Sequence, residues 1–179
     1  MSAVPAARRH AADRSVVLVG LMGVGKSTIG KRLSGRLGLP FVDSDHEIES
    51  AAGLSISEIF ARYGEAEFRA GERRVIARLI EGRPKVIATG GGAFMNEVTR
   101  GLILDRATAV WLDADIDVLA DRVRRRPGSR PLLNGRDPRE ALADLAAIRN
   151  PIYAQAHIHI KSQPLPHSAA VEAIVKALA

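Results

Sequence analysis

Short β-branched runs alternate along the chain with longer stretches in which apolar residues recur every three or four positions. Val16–Val19 reads as a strand and Lys26–Leu37 as a helix that stops at Gly38. Phe41–Val42 opens a second strand, followed by two short helices at Glu47–Ala52 and Ile56–Tyr63, the second capped by Ser55 and stopped by Gly64. Glu65–Glu81 predicts a long helix with Val75, Ile76, Leu79 and Ile80 on one side. Further strands are predicted at Val86–Ala88, Ala109–Leu112 and Ile158–Ile160, and further helices at Glu97–Leu104, Ile116–Arg125, Ala141–Ile148 and Ala169–Leu178. Five strands separated by helices imply right-handed crossovers, hence an α/β fold in three layers, α/β/α, around a five-stranded parallel sheet. A single domain is expected over 15–179, behind a disordered N-terminal tail at 1–14. The periodicity breaks at 126–140, where prolines, glycines and arginines crowd together, and this stretch is expected to be a mobile lid.

Composition narrows the field. The chain has 179 residues, 46% of them hydrophobic, enough for a packed core. Its lack of cysteine removes disulfide scaffolds, thiolate metal sites and cysteine nucleophiles. Lys and Arg outnumber Asp and Glu by 26 to 20, which invites a nucleic-acid reading. Aromatic residues make up only 4%, however, which leaves little for base-stacking platforms, and an anionic small molecule explains the surplus as well. Neither nucleic acid nor membrane is an expected partner. No apolar run approaches the ~18–20 residues of a membrane-spanning helix. The alanine- and arginine-containing opening, Met1–Arg14, lacks the apolar stretch and cleavage site of a leader, so a cytoplasmic monomer is expected.

The segment Gly20-Leu-Met-Gly-Val-Gly25-Lys26-Ser27 fits G-x-x-x-x-G-K-[ST] between a predicted strand and a predicted helix. Glycines let successive backbone N–H groups turn toward phosphate oxygens at the positive end of a helix. Lys26 then reaches the outer phosphates and Ser27 a Mg²⁺ ion. Of three strand ends in reach of that ion, two carry a carboxylate. Asp113 fits, but is read as a cap for the helix that follows, with Asp115 sharing that role. Asp43 and Asp45 lie on one side of an extended chain, so one can serve the metal and the other a substrate hydroxyl. The third strand runs instead into Thr89-Gly90-Gly91-Gly92, glycines that permit a ligand to approach the backbone. His157 and His159 share a strand face but have no third ligand nearby, and are read as structural. Arg122–Arg126 reads equally well as a solvated helix face or as a border of the lid.

These motifs occur in a fixed order: the glycine-rich loop, Phe41-Val-Asp-Ser-Asp45, Phe68-Arg69-Ala-Gly-Glu72, Thr89–Ala93 and Ser129-Arg-Pro-Leu-Leu133. Together they resemble the shikimate kinase family of the nucleoside-monophosphate-kinase-like P-loop group, over nearly the whole chain from Val16. The resemblance implies a P-loop kinase fold and ATP-dependent phosphorylation of the 3-hydroxyl of shikimate, with Mg²⁺ as cofactor. It implies that Gly23, Val24, Gly25, Lys26, Ser27 and Thr28 hold ATP, joined by Arg130 from the lid and by Arg125 or Arg126 against adenine, Arg126 being favoured. It further implies that Ser27 and Asp43 serve the metal. Asp45, Arg69, Gly90, Gly91, Gly92 and Arg149 would bind shikimate within a substrate region spanning about 43–81, the two arginines gripping its carboxylate and Glu72 standing near. Lys26, Asp45 and Arg130 would carry catalysis. The alternatives are another small-molecule P-loop kinase, such as one acting on gluconate, or a non-catalytic nucleotide switch. No Asn-Lys-x-Asp guanine signature is present.

Overall fold

The computed structural model describes residues 13–125, 135–161 and 166–179. Its elements are β1 (Val16–Val19), α1 (Lys26–Leu37), β2 (Phe41–Asp43), α2 (Ser44–Ala52), α3 (Ile56–Glu81), β3 (Val86–Ala88), a 3₁₀ turn (Ala93–Met95), α4 (Glu97–Arg106), β4 (Thr108–Asp113), α5 (Ile116–Arg125), α6 (Pro138–Tyr153), β5 (Ile158–Lys161) and α7 (His167–Leu178). The five strands form one parallel sheet in the order β2-β3-β1-β4-β5. The expected α/β architecture is therefore present.

All four residues of β1 are buried, although successive side chains point to opposite faces, so the central strand is covered on both sides. The outer strand β5 instead alternates half-buried and exposed positions. Isoleucine, leucine, valine and aromatic side chains from every layer merge into one core, with Ile29, Ile76, Ile87, Phe94 and Ile103 fully excluded from water. Each such side chain contributes roughly 1.5–3 kcal/mol by leaving water.

Three helices run two or three residues further than expected, α2 starting at Ser44, α4 ending at Arg106 and α7 starting at His167, and two others differ more. The segments expected as separate helices at Ile56–Tyr63 and Glu65–Glu81 follow one another directly, broken only at Gly64 (φ 80°, ψ 174°). Ser55 caps the first half through a reciprocal bond with Glu58. Helix α6 is longer than the expected Ala141–Ile148. Asp137 accepts from the Glu140 N–H and Pro138 lies in the first turn, where its missing N–H costs nothing; Pro151 falls in the last turn. Residues 138–140, expected within the lid, thus open a helix. Of the rest of that expectation, 135–137 form a turn leading into α6, and 126–134 with Arg126 and Arg130 lies outside the described residues, as does the expected tail through residue 12. Arg14 is tied down, donating to the Asp105 carbonyl at 2.6 Å.

The order β2-β3-β1-β4 means that the chain leaves β1 toward one edge and later returns to its other side. At such a switch point the carboxyl ends of neighbouring strands diverge and leave a crevice. The glycine-rich loop follows β1, Asp43 closes β2, and the three glycines follow β3.

Candidate active site

The loop after β1 holds three glycines, Gly20, Gly23 and Gly25, in backbone conformations that only glycine accepts readily. Gly20 has φ +146° and packs so tightly that a Cβ there would stand 2.5 Å from the Leu112 carbonyl oxygen; Gly25, capping α1, has φ +98°. Helix α1 has no side-chain cap at this end, which leaves its first N–H groups facing the crevice. Lys26 folds back over the loop, donating to the carbonyls of Gly20 (2.6 Å) and Leu21 (3.0 Å). Arg122 of α5 braces the loop from outside with bonds to the carbonyls of Gly23 (3.1 Å) and Val24 (3.3 Å).

Ser27 Oγ donates to Asp43 Oδ2 at 2.7 Å. The other oxygen of Asp43 accepts from the Asp45 N–H (2.9 Å) and the His46 N–H (3.4 Å), capping α2 and fixing the carboxylate's orientation. A hydroxyl and a carboxylate oxygen, both hard donors already side by side, suit Mg²⁺. Among the described residues no cluster of three or more histidine or acidic side chains is arranged for a metal. An ion here would complete its shell with phosphate oxygens and water, as Mg²⁺ commonly does.

A cavity of about 480 Å³ runs along this loop, with Lys26, Ser27, Asp43, Asp45, Gly90, Gly91, Arg122, Arg125 and His167 among its lining. Beyond Asp45 each residue of the glycine run after β3 meets a charged side chain, and Gly90 meets Glu72 as well as Asp45. A Cβ on Gly90 would lie 2.8 Å from Asp45 Oδ1, one on Gly91 3.0 Å from Arg149 Nη1, and one on Gly92 2.6 Å from Arg69 Cζ. Any side chain there would displace those groups, which explains three consecutive glycines by close approach. Thr89 Oγ1 donates to the Leu18 carbonyl (2.8 Å), and the Gly90 and Gly92 carbonyls accept from Ala93 and Met95, closing the run into the 3₁₀ turn.

The electrostatics of this corner are unbalanced. Glu72 and Arg149 are 2% and 7% exposed. Glu72 Oε1 accepts from Arg69 Nη1 at 2.9 Å, whereas Glu72 Oε2 and Arg149 Nη1 have no hydrogen-bond partner. Buried, unpartnered charged groups are costly, and a ligand that pairs with them recovers that cost. Burial pushes the Glu72 carboxyl above its ordinary range, against the pull of Arg69. Asp45 is pushed up to about 6, chiefly by burial and then by the neighbouring Asp43 charge, with Lys26 and Arg69 opposing. A carboxylate so poised can accept a proton near neutral pH.

The structure thus brings Gly23, Val24, Gly25, Lys26, Ser27 and Thr28 to one loop and helix start, and gathers Asp45, Arg69, Arg149 and Gly90–Gly92 beside it. Asp113 is elsewhere occupied, its Oδ2 lying 3.1 Å from His159 Nε2, while that histidine ring stacks on Trp111 at 4.0 Å. His157 Nδ1 accepts from the Ala109 N–H (3.0 Å), so both histidines serve the β4–β5 seam. Arg124 and Arg125 make exposed ion pairs with Asp137 and Asp121.

Three residues escape the sequence reading. Arg122 is not separable from its arginine-rich neighbours there, and only its helical phase singles it out. Tyr153, fully buried, donates from its hydroxyl to the Gly91 carbonyl. Burial pushes that phenol up to about 12, so it remains a donor. Its position one helical turn beyond Arg149 is the available signal. His167 closes Lys161–His167, the stretch that the family resemblance places at an adenine loop but that matches that pattern poorly, and its contact with Gly25 is a tertiary one.

Comparisons with known proteins agree with this geometry. A family model for shikimate kinase matches residues 22–179. The chain is 58% identical over 165 residues to a shikimate kinase of Caulobacter vibrioides, covering 92% of this chain and 82% of that protein. It is equally identical, over 92% and 93%, to a shikimate kinase of Zymomonas mobilis. A solved shikimate kinase from Acinetobacter baumannii in complex with shikimate superposes with a TM-score of 0.90 at 35% identity, over 96% of both chains.

Proposed function

The chain belongs to the shikimate kinase family, and from that premise we propose that it transfers the γ-phosphoryl group of ATP to the 3-hydroxyl of shikimate, through the residues gathered around the crevice. The observation that carries the reading is the buried Arg149 guanidinium with its unpartnered nitrogen, beside the Gly91 backbone and in the same corner as Arg69 and Asp45. That set offers a carboxylate two guanidinium groups, and offers a hydroxyl on the same ring a proton acceptor. Planar guanidinium groups grip a carboxylate with fixed orientation, which a lysine does not provide.

The N–H groups at the start of α1 and the Lys26 ammonium bind the β- and γ-phosphates, and Lys26 exchanges its loop carbonyls for phosphate oxygens as ATP enters. Ser27 and Asp43 would hold Mg²⁺, which when bound draws charge from the β- and γ-phosphates. Arg69 and Arg149 fix the shikimate ring by its carboxylate, so that its 3-hydroxyl meets Asp45. As the hydroxyl oxygen bonds to the γ-phosphorus, the bond from that phosphorus to the ADP oxygen breaks and the hydroxyl proton passes to Asp45. Glu72 holds Arg69 in place through the bond at 2.9 Å.

ADP release measured with ATP and Mg²⁺, with shikimate, gluconate or nucleoside monophosphates as acceptors, tests the assignment. Turnover with shikimate alone, yielding one shikimate 3-phosphate per ADP by phosphorus NMR, is expected. Turnover supported by gluconate or a nucleotide, with shikimate inert, overturns it.

A further inference from the structure

Away from the crevice, a cavity of about 510 Å³ opens between α2 and α3. Its floor is apolar and buried, formed by Ile48, Ile59, Phe68 and Val75. The hollow has two sources in the sequence. Gly64, at φ 80° and ψ 174°, breaks α3, and Ile59 before the break and Phe68 after it line the same space. Small residues then leave that space unfilled: Ala51 and Ala52 on α2, and Gly71 on α3. Glycine weakens a helix interior relative to alanine, yet the chain's own packing does not require it here. An added Cβ on Gly71 would meet only Arg74 Nη2, at the ordinary contact distance of 3.9 Å.

The rim decides which charge the hollow accepts. It carries three exposed ionic side chains, Glu67, Arg74 and Arg78. Arg78 is paired with Glu47 of α2 at 3.2 Å. Arg74 has no ion pair or hydrogen bond among the described residues. Glu67 stands seven positions earlier, about 10 Å along the helix axis, so an anion beside Arg74 lies clear of it. The floor is also the back of the acceptor corner: Arg69 Cζ lies 5.1 Å from the centre of the Phe68 ring, and Asp45 precedes Ile48 by one turn of α2.

We propose that this hollow is a second binding site, for a small monocarboxylate with an apolar body, whose carboxylate meets Arg74 and whose body rests on Phe68 and Val75. The site is separate from the nucleotide crevice and does not depend on the reaction assigned above.

A titration of the full ¹⁵N-labelled chain with 3-phenylpropanoate, followed by NMR of the backbone amides, tests it. Saturable shifts centred on residues 48–54 and 67–78 are expected, at one probe per chain and a Kd of about a millimolar or tighter. They should persist under saturating shikimate and in Arg149→Met. Acetate, which lacks the apolar body, should give no saturable shift, and 3-phenylpropylamine, which reverses the charge, should bind several-fold more weakly. Arg74→Gln should raise the Kd for 3-phenylpropanoate about three- to fivefold, the scale of an ion pair open to solvent. Ala51→Leu, a change at an exposed position that fills the hollow, should raise it more than about tenfold, because apolar contact supplies most of the binding. Shifts that vanish with shikimate or in Arg149→Met would place the probe in the acceptor corner and overturn the proposal. Equal binding of acid and amine, an unchanged Kd in Arg74→Gln or Ala51→Leu, or no saturable binding would overturn it as well. So would a probe affinity that falls as protein concentration rises, which would mean that a second copy of the chain covers the hollow.

Discussion

The phosphate cradle and the acceptor corner adjoin one another but are built on opposite principles. In the cradle nearly every polar group is satisfied by its neighbours: Lys26 on two loop carbonyls, Ser27 on Asp43, Asp43 on the start of α2, and Arg122 on two further carbonyls. The acceptor corner keeps a buried guanidinium nitrogen and a buried carboxylate oxygen without partners, and holds Asp45 well above the usual carboxylate range. One region is organised before its ligand arrives. The other stores an electrostatic cost, which on the proposed function a ligand carboxylate and hydroxyls would relieve. The cradle is therefore the part that should tolerate an empty state, and the acceptor corner the part whose stability responds to its ligand.

The largest expected effect lies in the cradle. Lys26→Ala removes the ammonium group that turns from the loop to the phosphates, and turnover should fall on the order of 10³-fold, as when a fixed transition-state donor is lost. Circular dichroism melting should show a folded protein; near-normal turnover would show the cradle to be something other than a phosphate site.

Next comes the acceptor corner. Arg149→Met should raise the KM for shikimate roughly 100-fold, the scale of a charge-assisted bond left unmade, with ATP binding unchanged. Equal losses for both ligands would erase the distinction between the two regions.

The Asp45 carboxyl sharpens the comparison through pH. Its folded pKa, about 6, lies above the ordinary 3.8. Between these values the folded state binds more protons than the unfolded chain, so this group's contribution to stability falls as pH rises from about 4 to about 6 and stays low above that. Activity moves the opposite way, since the ionised form accepts the hydroxyl proton: kcat/KM for shikimate should drop as pH falls through about 6. Asp45→Asn should therefore raise the melting temperature at pH 7.5 more than at pH 5, by the equivalent of about 1–3 kcal/mol, while abolishing the acidic limb of the rate profile. The smallest effect is expected from Tyr153→Phe, which loses the bond to the Gly91 carbonyl. Chemical denaturation should register about 1 kcal/mol, with a KM for shikimate raised a few-fold as the glycine run loosens.

How much of this is legible in the sequence follows the same division. The cradle is contiguous, so its glycines, Lys26 and Ser27 announce themselves as a local pattern, and β1 and α1 have the bounds that the periodicity predicts. Asp43 and Asp45 follow the next strand closely enough to be found by spacing. The acceptor corner joins residues as distant as Arg69, Gly91 and Arg149, and spacing alone does not bring these together. Their grouping is read through resemblance to a family, and their burial and missing partners appear only when α3 and α6 pack around the end of β3. Tyr153 and His167 escape notice because each acts across a tertiary contact, on Gly91 and Gly25, rather than within a motif. Helix α6 reads short because its two prolines suggest breaks, whereas Pro138 falls in the first turn, which tolerates it, and Pro151 comes only two residues before the helix ends.

The measurement that bears most directly on the acceptor corner is calorimetric binding of shikimate and of its methyl ester, each to the unmodified chain and to Arg149→Met. If the unpartnered guanidinium awaits a carboxylate, the ester should bind the unmodified chain about 100-fold more weakly than the acid, and the gap should shrink severalfold in the variant. Acid and ester binding the unmodified chain with equal affinity would contradict the assignment of Arg149 to the shikimate carboxylate.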